Sequence, residues 1–89
     1  MANIASICRA GKGTAGKWKV VEQGGSYHKL YHYDHLMLCW EDMGNDDRVF
    51  VTYSDIGIGS VSDQQGMNKA FRALNTRFYY TRQGGARID

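Results

Sequence analysis

The sequence predicts a small α+β domain: an antiparallel sheet of hairpin-linked strands, one helix packed on a face, and a final strand. Three observations predict it. The first half holds short runs of alternating apolar and polar residues, broken by glycine and Asn/Asp turns, as hairpins require. Met67, Ala70, Phe71 and Leu74 then fall at i, i+3, i+4 and i+7, one apolar stripe on a helix. The aromatic run Phe78-Tyr79-Tyr80 follows and reads as strand. Strands first and a helix after them give α+β rather than an alternating α/β order.

The elements can be taken in turn. Ile4 to Ala10 reads as a first strand, with Ile4, Ser6 and Cys8 on one face. Gly11 to Gly16 is a glycine-rich turn. Trp18 to Gln23 is a second strand, and Gly24-Gly25 after it signals a hairpin. Tyr27 to Tyr33 is a third strand, with a turn expected near Tyr33 to His35. Leu36, Leu38 and Trp40 alternate with Met37, Cys39 and Glu41 in a fourth. Its two apolar faces place it centrally in the sheet. Glu41 to Asp47 is an acidic loop around Gly44-Asn45, and Arg48 to Tyr53 returns as a fifth strand. After a loop from Ser54 to Gly59, the helix is expected over about Asp63 to Leu74. Ser62 and Gln65 have capping-box spacing, and Asn75 suits a left-handed terminator. Arg77 to Arg82 is the last strand. Gly84-Gly85 ends order or turns into a short tail.

Eighty-nine residues make a single domain, 1–89. Apolar residues are 43% and aromatics 12%, and there is no proline among 11 glycines. A chain of this size buries only roughly 60–65% of its unfolded surface. It holds one core and has little room for a deep enzyme cleft. Cys8 and Cys39 are the two cysteines. No charged and then apolar leader precedes them, so two free buried thiols in a reducing cytoplasm are expected. No apolar run approaches the ~20 residues of a membrane span, so a membrane is not an expected partner.

Net charge is +2, but it is unevenly placed. Arg9 to Lys29 carries five bases and one acid. Asp34 to Asp63 carries seven acids and one base, Arg48. Lys69 to Arg87 carries five bases and no acid. Such blocks either form three solvated surfaces of different sign or bring the basic ends to one face that meets an anionic partner.

Several motifs fall short of chemistry. Gly11-Lys12-Gly13-Thr14-Ala15-Gly16-Lys17 matches seven positions of a phosphate loop, but Trp18 stands where a magnesium-binding hydroxyl belongs. Trp18 to Val21 also reads as strand, whereas a phosphate loop needs a helix there. His28, His32 and His35 cluster around Asp34, yet His28 and His32 would sit about 13 Å apart on one strand face. Solvent-facing histidines on a hairpin are expected, and no metal site. The acidic loop lacks the EF-hand spacing. The cysteines form no CxxC pair, and no nucleophile-elbow pattern holds a serine. No cofactor is expected, and an enzyme is the least supported class.

Aromatic residues are the remaining candidates. Tyr27, Tyr31, Tyr33, Tyr53, Phe78, Tyr79 and Tyr80, flanked by Lys29, Arg77 and Arg82, could stack bases or a nucleotide, or simply fill the core. Tyr79 and Tyr80 point to opposite faces of their strand, so one ring is expected to turn away from the helix.

Leu30-Tyr31-His32-Tyr33, Met37-Leu38, Gly59-Ser60-Val61-Ser62-Asp63-Gln64-Gln65-Gly66-Met67-Asn68 and Phe78-Tyr79-Tyr80 carry a resemblance over roughly Leu30 to Arg82. The chain resembles a family of small uncharacterised proteins of bacteriophage genomes, whose hallmark is the Gly-Ser-Val-Ser-Asp-Gln segment. The resemblance implies a viral protein working in the host cytoplasm. It transfers no activity and no site.

The expected function is a non-enzymatic phage-type protein that inhibits or redirects a host or defence component by stoichiometric contact. The alternative is a small nucleic-acid- or nucleotide-binding domain. Lys69, Arg72, Arg77, Tyr79, Tyr80 and Arg82 are the expected binding residues, since arginine and tyrosine dominate interface energetics. The acidic loop is the competing surface, and self-association is left open.

Overall fold

The computed structural model describes residues 3–42, 49–54, 61–76, 78–81 and 85–88. The order is helix α1 (Ile4–Ala10), strands β1 (Gly13–Ala15), β2 (Trp18–Gln23), β3 (Tyr27–His32), β4 (His35–Asp42) and β5 (Val49–Ser54), helix α2 (Val61–Ala73), then strands β6 (Phe78–Thr81) and β7 (Gly85–Ile88). The first five strands form one antiparallel sheet in the order β1-β2-β3-β4-β5. The fold is α+β, as the pattern predicts.

The first element differs from expectation. Ile4–Ala10 is a helix, not a strand. Asn3 caps it: its side-chain oxygen accepts from the Ser6 amide at 2.8 Å, and the Ser6 hydroxyl accepts from the Asn3 amide at 2.9 Å. This reciprocal pair satisfies two donors that a helix start leaves orphaned. Gly11 closes the helix at φ 79, a left-handed conformation that glycine adopts without penalty. Ile4, Ile7 and Cys8 then share one face at i, i+3, i+4, and Ile7 and Cys8 join the core.

Turn chemistry sets the strand register. Gly16, at φ 62, and Lys17 form the two-residue loop between the paired Ala15 and Trp18. Tyr33 and Asp34, at φ 53 and 65, make the two-residue loop between His32 and His35. Irregularities between Leu30 and Tyr31, and between Cys39 and Trp40, leave Met37 and Thr52 as extra residues in their strands. Strand β4 lies inside the sheet, and Met37, Leu38, Cys39 and Trp40 are all buried.

Both helices pack on one face of this sheet. Trp18, Val20, Leu30, Leu38 and Trp40 meet Ile7, Met67, Ala70, Phe71 and Leu74 in a single cluster. Helix α2 begins at Val61, so Ser62 lies inside its first turn rather than at its cap. Asn75 follows its last turn at φ 58, the left-handed terminator expected. Strand β6 runs along α2, where Phe78 packs on Phe71 with ring centroids 5.7 Å apart. Gly85–Ile88 is not a loose tail. It pairs antiparallel with β6 in a separate two-stranded sheet.

Candidate functional site

The glycine-rich segment that mimics a phosphate loop is divided between a helix end and a hairpin. Gly11 terminates α1, Gly13–Ala15 is β1, and Lys17 sits in a turn that leads into strand β2. No helix N-terminus follows the lysine, so its amides have no phosphate cradle to complete.

The histidines depart from expectation. His28 and His32 are buried on the helix side of β3, on either side of Leu30. His28 Nδ1 donates to the Gly11 carbonyl at 2.8 Å, and its ring stacks on Trp40. His32 Nδ1 donates to Asp63 Oδ1 at 2.5 Å, and its ring lies parallel to the Trp18 indole, 4.0 Å away. The two contacts tie the sheet to α1 and to α2. An aspartate that orients an imidazole is also the back half of a catalytic triad. Here the imidazole is packed beneath an indole, and the pair acts as a clip between sheet and helix. Among the described residues no three His, Cys, Asp or Glu side chains converge as metal ligands.

The basic surface takes the form of a groove. Gln65, Lys69 and Arg72 fall at i, i+4 and i+7 on the side of α2 away from its core stripe. With Asn68, Thr76, Phe78 and Tyr79 they line a depression of about 740 Å³. This lies within the usual range for ligand sites, roughly 300–1,000 Å³. Its floor is fixed by hydrogen bonds. The Asn68 side chain accepts from the Tyr80 amide at 2.8 Å and donates to the Tyr80 carbonyl at 3.4 Å. The Thr76 hydroxyl donates to the Phe71 carbonyl and accepts from the Phe78 amide. Two cations face the groove, and no carboxylate is among its described lining residues.

Of the expected binding residues, Lys69, Arg72 and Tyr79 therefore come together. Tyr79 is 43% exposed. Tyr80 is a correction: at 1% exposure it belongs to the core, because strand alternation turns it inward where Tyr79 turns out. Arg77 and Arg82 lie outside the described residues, as do Asp46 and Asp47 of the competing acidic loop. Gln65, Asn68 and Thr76 were not foreseen. The Gln65–Lys69–Arg72 spacing could have revealed the first of them.

A second cavity, of about 470 Å³, lies among α1, the sheet and the end of α2. Arg9, Glu22, Asp42 and His28 line it, so its charges are mixed and define no single class of partner. Cys8, at its edge, holds its proton tightly, since burial pushes the thiol up to about 12. Cys8 packs on the helix side of the sheet, whereas Cys39 shares the opposite side with Lys29 and Tyr53. Both thiols are free and buried. Among the described residues no helix is long and apolar enough to cross a membrane.

Comparison with protein-family models, curated proteins and solved structures found no match to the chain.

Proposed function

We propose that the protein is a non-enzymatic, phage-type binding protein that acts in the host cytoplasm. It inhibits or redirects a host or defence-system component by stoichiometric contact, and the groove between α2 and β6 receives an acidic segment of that partner. One observation carries this reading: Lys69, Arg72 and Tyr79 share a groove whose described lining holds no carboxylate. The resemblance of Leu30 to Arg82 to small phage proteins supplies the setting.

The chemistry suits an interface. The cations steer an acidic partner and suppress basic ones. Tyr79 offers a broad ring with a hydroxyl at its tip, the kind of residue that anchors contact energy. Asn68 and Thr76 already bond to backbone, so the groove wall is held in place before a partner arrives.

Affinity capture from infected-host lysate, with and without nuclease, tests the reading. A protein retained in fixed stoichiometry after nuclease treatment supports it. Loss of all captured protein on nuclease treatment contradicts it.

A further inference from the structure

We propose that the open face of the five-stranded sheet is a platform for single-stranded nucleic acid. The proposal does not rest on the groove, which lies on the helix side of the sheet.

Strand register builds this face. Alternation from the paired Lys19–Tyr31, Lys29–Cys39 and Cys39–Tyr53 positions turns these side chains away from the helices. Tyr27 and Phe50, both paired with Glu41, lie on the same side. Tyr53 is 44% exposed and Phe50 61% exposed, and no described helix covers them. Cys39, between Lys29 and Tyr53, is short and buried, so the side chains beside it stand above it as the walls of a shallow trough. The Tyr27 hydroxyl is within hydrogen-bonding distance of Thr52 Oγ1, at 3.2 Å, which fixes that ring.

Charge selects the occupant. Lys19 Nζ lies 5.7 Å from the Tyr31 ring centre. Lys29 is a second cation, between Tyr27 and Tyr31 on the same strand, and among the described strand positions of the face the one carboxylate is Glu41. Alternating cations and exposed rings match a strand that presents phosphates and flat bases together. Bases of a duplex are already stacked on one another, so the rings favour unpaired strands. A second copy of the chain would bring a face with more described cations than carboxylates against itself, which disfavours self-association through it.

Fluorescence anisotropy with a labelled oligothymidylate of about 12 nucleotides tests the proposal, with a duplex of equal length as comparison. The single strand should bind more tightly than the duplex, and binding should weaken steeply with salt. Tyr53→Ala and Phe50→Ala should each weaken it roughly five- to hundredfold, while Tyr53→Phe stays near the parent. Lys19→Glu with Lys29→Glu should weaken binding and flatten its salt dependence. That pair also reads the same face if an alanine variant loses its fold. Lys69→Glu with Arg72→Glu should leave it largely intact. Absence of single-strand binding at low salt, a preference for duplex, or loss through the groove variants alone would overturn the proposal. So would a protein dimer that Tyr53→Ala dissociates.

Discussion

The Trp18 indole lies so close to Gly66 of α2 that a methyl group there would sit 2.1 Å from Cζ2. The indole cannot easily retreat, because it stacks on His32, and His32 is bonded to Asp63 one turn before Gly66. Helix, indole and imidazole form one interlocked unit, and the glycine is the gap that admits the indole. Gly66→Ala should therefore destabilise the protein, although alanine is the better helix former by about 1 kcal/mol. Overpacking of about 1–3 kcal/mol opposes that gain. Denaturant unfolding of the two proteins checks the sign, and a more stable variant would show that the contact is soft.

Asn68 acts as a surrogate strand for β6. Its amide meets both backbone groups of Tyr80. Asn68→Ala should cost about 1–3 kcal/mol, the usual penalty for removing the partner of a buried polar group. The Tyr80 amide should exchange with deuterium faster in the variant. Unchanged exchange would mean that the bond does not hold the strand.

Phe71 is fully buried on α2 and packs on Phe78. Phe71→Ala should cost about 3–5 kcal/mol, a large part of the stability of a domain this small. A loss below about 1 kcal/mol would mean that the core relaxes into the space.

Burial raises the Cys8 thiol from 9.0 to about 12 in the folded protein, with nearby Arg9 opposing the shift. The unfolded chain loses this proton first. The thiol's contribution to stability is therefore intact below pH 9.0 and declines as pH rises from 9.0 toward 12. Cys8→Ala should show a shallower loss of stability across that window, and parallel curves would refute the assignment. Alkylation gives a second check. Both thiols should resist the native protein's exposure to reagent, and two should react after denaturation.

The long helix was legible because Met67, Ala70, Phe71 and Leu74 hold a 3.6-residue apolar period that no strand can satisfy. The short one was not. Over Ile4–Ala10 the apolar residues fit period two as well as Ile4–Ile7–Cys8, and the Asn3–Ser6 cap decides for helix. The histidines could have been placed, since His28 and His32 flank Leu30 at alternate positions and must share its buried face. The Trp18–Gly66 contact could not, because it joins residues distant in sequence. The groove stands between these cases. Helical spacing puts Lys69 and Arg72 on the outer side of α2, but only tertiary packing brings Tyr79 beside them.

Charge reversal at the groove tests the central claim most directly. The measurement is calorimetric titration of the captured host protein with the parent, with Lys69→Glu and Arg72→Glu combined, and with Asp46→Lys and Asp47→Lys combined. The groove variant should lose at least roughly thirtyfold in affinity, the equivalent of about 2 kcal/mol for a buried charge contact. It should unfold at the parent's denaturant midpoint, and the acidic-loop variant should bind nearly as the parent does. Parent-like affinity in the groove variant, with binding lost in the acidic-loop variant, would contradict the account.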